Sequence, residues 1–320
     1  MLFIYETQMN KGLRLFLKYI IILVFGLICM AIVGETIVRR YPNSYKLKSY
    51  VAQTSANEVE TLIFGNSRAY YGINPNKIAG KALNLANVSQ TLEYDSFMLE
   101  HFFMNCHRNL KNVIIQVDYS NLFDSPLEES SWDWYRCTYY KLYAHCNKHS
   151  WLSKYSLELL CPDRFRSKFL EAVKYAISGQ THLDCDSLGF GQTTTRRFDA
   201  GRMSHATQSG LDRYNAINLD MKDYNTQFLR QMCVFCKQYG IRIIIVSMPI
   251  WRELYKVKGN YEEPILNQVI TECKQKYGAE YRNYTSDSRM RDEDFVDAVH
   301  LSPQGAKHFT AILQEDFESM

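Results

Sequence analysis

Four short apolar runs constrain this chain more than any other feature. They are Thr61-Leu-Ile-Phe64, Ala82-Leu-Asn-Leu85, Val113-Ile-Ile-Gln-Val117 and Ile241-Arg-Ile-Ile-Ile-Val246, and a shorter stretch at 280–284 reads as a fifth strand. A run of this kind lacks a polar face, so a strand built from it needs cover on both sides. Helical patterns at 92–107, 219–239, 261–277 and 303–318 alternate with these runs. Gly240 and Gly278 stop two of them, and Pro303 suits the first turn of the last. Strands separated by helices need crossover connections, which predicts an α/β fold with a mainly parallel sheet. The rhythm breaks between about 120 and 215, where Trp132, Trp134, Trp151, many tyrosines and two Gly/Ser/Thr-rich stretches accumulate. That interval reads as an aromatic-rich insertion with some helix near 151–177.

A second feature sits at the N-terminus. From Tyr19 to Gly34 sixteen consecutive residues carry no charge. A helix from Leu15 to Val38 is long enough for a hydrocarbon core of about 30 Å, for which about 20 residues suffice. Lys18 and Glu35 lie near its ends, where long side chains snorkel. No small-x-small cleavage site precedes Arg39-Arg40, so an uncleaved transmembrane anchor is expected, with a signal peptide and a buried helix as the alternatives. Residues 1–40 then form a cytoplasmic tip and anchor, and 41–320 a single domain on one side of the membrane.

Charge supports this division. The chain has 37 basic and 34 acidic residues, and Lys11, Arg14, Lys18, Arg39 and Arg40 against Glu6 and Glu35 account for the whole excess of three. The rest of the chain is neutral, which argues against a nucleic-acid partner. Basic residues flank the apolar helix on both sides, so charge does not orient it.

Two segments can carry chemistry. Gly65-Asn-Ser67-Arg68 directly follows the first strand, at the carboxyl edge where parallel sheets bind ligands. Ser67 there reads either as a nucleophile or as part of a helix cap. Asp297-Ala-Val-His300 precedes the last helix. An Asp three residues before a His can accept from Nδ1–H and leave Nε2 to take a proton from a serine hydroxyl, and such a pair is also found in purely structural roles.

The order Ser…Asp-x-x-His on these elements resembles the SGNH (GDSL-like) hydrolase superfamily, with Gly65-Asn-Ser67 in place of its Gly-Asp-Ser block and Asp297-Ala-Val-His300 in place of its Asp-x-x-His block. The resemblance covers about residues 58–120 and 219–318. It implies a flavodoxin-like three-layer α/β/α sandwich, with Ser67 as nucleophile, His300 as general base and Asp297 as its orienting partner. Asn87, Ser89 and Asn121 fall near the family's oxyanion blocks, and Arg68 lies beside the nucleophile as a candidate for an anionic substrate group or as a solvated charge. An anchored domain of this type resembles the accessory proteins of bacterial envelope polysaccharide modification. That implies an extracytoplasmic serine esterase or O-acyltransferase acting on O-acylated glycans, with a multi-span acyltransferase as a partner. The altered oxyanion blocks imply the alternative, a non-catalytic scaffold or glycan-binding protein. Trp132, Trp134, Tyr135, Tyr139 and Tyr140 are open to two readings, sugar-stacking surface or core of the insertion.

No cofactor or metal is expected. There is no P-loop or G-x-G-x-x-G. Cys233-Val-Phe-Cys236 falls late in a helix, where a redox pair would open one. His182-Leu-Asp184-Cys-Asp186 reads as a solvated loop. Of nine cysteines, Cys29 lies in the apolar segment, and disulfides among the others are permitted outside the cytoplasm without a deducible pairing.

Overall fold

The computed structural model describes residues 11–318 apart from 56, 107–108, 152, 162–164, 182 and 194–198. The chain divides into two compact units, one from Met1–Pro42 and Lys154–Thr181, the other from Asn43–Ser153 and His182–Met320.

In the first unit a helix runs over Lys11–Arg40 and is long and apolar enough to cross a membrane. Leu13, Phe16, Ile21, Phe25, Met30 and Val33 are all exposed. Only the C-terminal end is covered, where Gly34 and Val38 are buried. The helix Phe165–Ser178 and the 3-10 turn Glu158–Leu160 pack against it, and a Cβ on Gly34 would lie 3.3 Å from Leu159. Glu35 does not snorkel, as the sequence suggested. Its carboxylate accepts from the N–H groups of Glu158 and Leu159 at 3.1 and 3.0 Å, and the Arg39 guanidinium binds it at 2.6 Å. The exposed apolar length therefore ends near Val33. The twenty-odd residues from Leu13 still reach about 30 Å at about 1.5 Å each. Such a helix is a membrane anchor or a signal sequence.

The second unit is built on a five-stranded sheet. Its strands are β1 (Thr61–Phe64), β2 (Ala82–Asn84), β3 (Asn112–Gln116), β4 (Arg242–Ser247) and β5 (Glu280–Asn283). They run in the order β2-β1-β3-β4-β5, all parallel. Every residue of β1 and β2 is buried, as are all but the first of β3 and β4, so both faces are covered as their unbroken apolar character requires. β5 is an edge strand with half-exposed side chains. Helices fall close to the expected intervals, at Leu92–Cys106, Lys222–Gln238, Glu263–Tyr277 and Pro303–Glu318. The first two pack on each other, and the last packs on the short helix Ser67–Gly72.

The order reverses beside β1, since the chain goes out to β2 and returns on the other side as β3. A crevice forms at such a switch point, outside the carboxyl ends of the strands. Ser67 and Ser120 follow β1 and β3 there.

Most of the insertion's tyrosines are core. Tyr135, Tyr139 and Tyr140 are buried together with Tyr45 and Tyr94 from outside the insertion, the Tyr94 and Tyr140 rings stacked 4.1 Å apart and Tyr45 5.0 Å from Tyr139. Trp132 is exposed at 78% and keeps an open aromatic face, while Trp134 is half-buried. Cys137, Cys146, Cys185, Cys233, Cys236 and Cys273 are buried free thiols, and burial pushes the Cys236 thiol up to about 12.

Candidate active site

Ser67 begins the helix Ser67–Gly72, and the capping role falls to its neighbour. Asn66 accepts the Arg68 N–H on Oδ1 at 3.0 Å, so the serine hydroxyl is not needed for the cap. Gly65 makes the turn possible at φ +138°, where a Cβ would lie 2.7 Å from both Cβ and Oε1 of Gln116. That approach matters because Gln116 Oε1 accepts the N–H groups of Asn66 and Ala69, at 3.1 and 3.2 Å. β3 thus holds the turn after β1 in place through one buried amide.

The Asp297–His300 segment is held just as firmly. Phe295 and Leu301 pair as an antiparallel bridge, Val296 N–H donates to the His300 carbonyl at 3.0 Å, and Ser302 N–H donates to the Asp294 carbonyl at 2.7 Å. Gly305, in the first turn of the last helix, lies against Asp294, where a Cβ would come within 2.0 Å of the carbonyl oxygen. Backbone cannot yield as a flexible side chain can, so Gly305→Ala is expected to cost at least about 3 kcal/mol in urea denaturation.

These two segments meet. Ser67 Oγ lies 2.8 Å from His300 Nε2, and His300 Nδ1 lies 2.9 Å from Asp297 Oδ2. The other Asp297 oxygen accepts the N–H groups of Val299 and His300 at 2.9 and 2.8 Å. A carboxylate only accepts, so Nδ1 carries the proton and Nε2 is left to accept from the serine hydroxyl. Burial would push the Asp297 carboxyl up, but the His300 hydrogen bond and charge with the two N–H groups outweigh it and hold it down to about 2. Tyr71 stands edge-on to the imidazole at 5.9 Å.

Ser67 and His300 open into a cavity of about 870 Å³. Its wall carries the hydroxyls of Ser120, Ser125 and Ser130, the carboxylates of Asp124 and Asp133, and Arg213. Ser89 also lines it and has φ +57°, a left-handed conformation uncommon outside glycine, with Oγ donating to Asp133 at 2.6 Å. Among the described residues the backbone N–H groups of Ser67 and Ser89 have no hydrogen-bond partner.

Three expected contacts are not available. Asn87 is buried away from the cavity, bound to Lys48 Nζ and Gln90 at 3.1 Å each. Asn121 is fully buried and forms a capping box with Asp118, its amide donating to the Gln116 carbonyl at 2.7 Å. Short amides adjacent to strand ends are captured by the backbone they leave. Arg68 is neither solvated nor free for an anion. Its guanidinium is buried on Asp118 at 2.7 Å and donates to the Met248 carbonyl at 2.7 Å. Asp186 accepts from Leu188 and Phe190 N–H within its loop and from the Asn76 amide at 2.9 Å, Asp184 accepts the Gln192 N–H on its backbone carbonyl at 3.0 Å, and His182 lies outside the described residues.

A buried polar chain beneath the Ser67 turn had no sequence signature. Asp95 accepts the Gly65 N–H at 3.2 Å and also binds Gln90, which takes the Tyr140 hydroxyl at 2.7 Å and the Asn87 amide. Asn87 leads on to Lys48, which also binds the Ala86 carbonyl and sits 4.1 Å over the Tyr70 ring. Burial pushes the Asp95 carboxyl up to about 7, opposed by the Gln90 and Gly65 hydrogen bonds, and burial pulls the Lys48 ammonium down to about 7. Between about pH 4 and 7 the unfolded chain releases the Asp95 proton and the folded chain keeps it, so this group lowers stability as pH rises. Above about 7 the unfolded chain keeps the Lys48 proton that the folded chain has lost, so stability climbs again. Asp95→Asn should therefore gain several degrees on the wild type between pH 5 and 7.5 in thermal melts. Parallel melting curves across that range would show that Asp95 is ionised throughout.

The chain matches no protein-family model, and no curated protein matches it.

Proposed function

We propose that the chain is an anchored, extracytoplasmic serine esterase or O-acyltransferase of SGNH type, with O-acylated glycans as substrates. The observation that carries this reading is the unbroken hydrogen-bond chain from Ser67 through His300 to Asp297, beside a cavity of about 870 Å³ that Ser67 and His300 both line. The switch-point placement and the strand order support a flavodoxin-like three-layer sandwich.

The chemistry follows from the protons. Ser67 Oγ attacks the ester carbonyl while His300 Nε2 takes its proton, and the imidazolium formed is held by Asp297. The free N–H groups of Ser67 and Ser89 are the donors at hand for the oxyanion. At Ser89 the left-handed backbone occupies the position of the family's glycine, so the donor survives without the glycine. Collapse expels the alcohol, which leaves with the proton from Nε2, and an acyl-Ser67 ester remains. Water or a sugar hydroxyl then gives its proton to Nε2 and attacks the acyl carbon, which restores Ser67. Water makes the enzyme a hydrolase, a sugar hydroxyl a transferase.

The cavity lining supports a polyhydroxylated substrate. Serine hydroxyls and carboxylates pair with sugar hydroxyls, and of the two arginines lining the cavity Arg68, next to Ser67 in the chain, is already paired with Asp118. Trp132 adjoins Ser131 and Asp133 of the wall and offers a ring face for stacking. The apolar helix supports membrane attachment, and a multi-span acyltransferase is the partner that a transfer role would require. The loss of Asn87 and Asn121 as side-chain donors is what favours the second reading, a non-catalytic glycan-binding scaffold.

A fluorophosphonate probe separates the two. The detergent-purified chain should be labelled once, at Ser67, and Ser67→Ala should not be labelled at all. A folded wild type that resists the probe would leave the binding role standing and remove the enzymatic one.

A further inference from the structure

The insertion gathers three metal-ligating side chains that no spacing in the sequence joins. Glu128 lies in the 3-10 turn Leu127–Glu129, Cys137 in the helix Arg136–Tyr143, and His149 in the loop beyond it. One ligand atom from each lies within 4.8 Å of the other two. His149 Nε2 approaches Glu128 Oε1 at 3.0 Å, and the same oxygen takes the Tyr94 hydroxyl at 2.8 Å and the Lys148 ammonium at 3.0 Å. The second carboxylate oxygen, Oε2, is buried with no hydrogen-bond partner, a costly arrangement that a cation would relieve. Cys137 is fully buried, while Glu128 and His149 retain some exposure, which leaves a way in.

We propose that Glu128, Cys137 and His149 form a zinc-class divalent metal site. A thiolate, an imidazole and a carboxylate suit zinc and discriminate against calcium and magnesium, which take oxygen ligands. Bonds of about 2.0–2.3 Å at tetrahedral angles put ligand atoms roughly 3.3–3.7 Å apart, so from a spread within 4.8 Å the cluster needs to close by no more than about 1.5 Å. Thiolate and carboxylate together neutralise the dication. Three protein ligands leave the fourth position for water.

Binding is balanced by one proton. Burial pushes the Cys137 thiol up to about 12 and pulls the His149 imidazole down, so the metal-free site holds a neutral thiol and a neutral ring. When the Zn–S bond forms, the Cys137 proton passes to solvent. Lys148 gives up Glu128 and keeps Glu93, which it also binds, at 2.6 Å. Leu127 and Glu129, on either side of Glu128, line the cavity that Ser67 opens into. A metal here therefore pins one wall of that cavity, and the site stands whether or not Ser67 acylates.

The test uses the full chain purified in detergent and stripped with chelator. It should take up one Zn²⁺ per chain against a chromophoric chelator and release one proton per metal at pH 7.5. Co²⁺ in place of zinc should give a thiolate charge-transfer band and the intense visible bands of tetrahedral cobalt. Cys137→Ser should abolish the charge-transfer band. His149→Gln, at a partly exposed position that leaves folding intact, should weaken affinity by more than the about 10–100-fold typical of losing an outer partner. The proposal is overturned if the wild type takes up no stoichiometric zinc, if the charge-transfer band survives Cys137→Ser, or if His149→Gln binds as tightly as the wild type.

Discussion

Ser67→Ala and His300→Ala should each lower turnover of an activated acetyl ester by about 10⁴–10⁶-fold, and the double variant should lose no more than either alone. The reason is geometric. Among the described residues Ser67 Oγ has one partner, His300 Nε2 at 2.8 Å, so neither group has a separate contribution to lose once the other is gone. Asp297→Asn should also be severe, because an amide favours the wrong imidazole tautomer and the ring no longer presents a bare Nε2. Folding should be nearly untouched in Ser67→Ala, since the cap belongs to Asn66 and the turn to Gln116. Steady-state kinetics with matched thermal melts decide the matter. Multiplicative losses in the double variant would mean that the two residues act on different steps, and retained turnover in His300→Ala would mean that another group is the base.

Arg68→Met should cost about 3–5 kcal/mol of stability, the largest structural effect expected near the site. Both partners of the Arg68–Asp118 pair are buried, with side chains 3% exposed each, at 2.7 Å. Without the guanidinium, Asp118 keeps the Ser120 N–H and hydroxyl at 2.9 and 2.6 Å, but its charge is left in a low-dielectric interior. The Met248 carbonyl loses its guanidinium donor as well. Because Arg68 follows Ser67 and reaches from the β1 turn to the residue just after β4, the variant should also disturb the placement of Ser67. Adding Asp118→Asn should recover part of the stability by removing the orphaned charge. Urea denaturation at pH 7 measures both, and a loss below about 1 kcal/mol for Arg68→Met would show that water or relaxation solvates Asp118 in the folded state.

The parts of the site that were legible are those that local spacing and element order specify. Ser67 and the Asp297–His300 pair each sit at a strand or helix boundary, and the α/β alternation brings such boundaries to one edge of the sheet. Asn87, Asn121 and Arg68 were misplaced because their partners come from elsewhere. Asn87 meets Lys48 across 39 residues, and Arg68 meets Met248 across 180. Asn121 is taken by the turn it belongs to, capping it back onto Asp118. Gln116 interrupts an apolar strand and was a readable anomaly, since a polar residue buried at that point needs partners. Lys48 and Asp95 carried no such mark, because nothing local separates a charge that will be buried from one that will be solvated.

By itself the amino-acid sequence determined the parallel five-stranded α/β framework, the exposed apolar N-terminal helix and the three residues of the Ser–His–Asp chain. These follow from periodicity and from chain order, which are properties of neighbours along the chain. Only the tertiary structure decided that Glu35 caps a turn, that the insertion's tyrosines are core, that Arg68 is committed to Asp118, and that Glu128, Cys137 and His149 stand within reach of one cation. The physical reason is the same in each case. A polar side chain is placed by whichever partner satisfies it after burial, and that partner is chosen by packing between segments far apart in the chain.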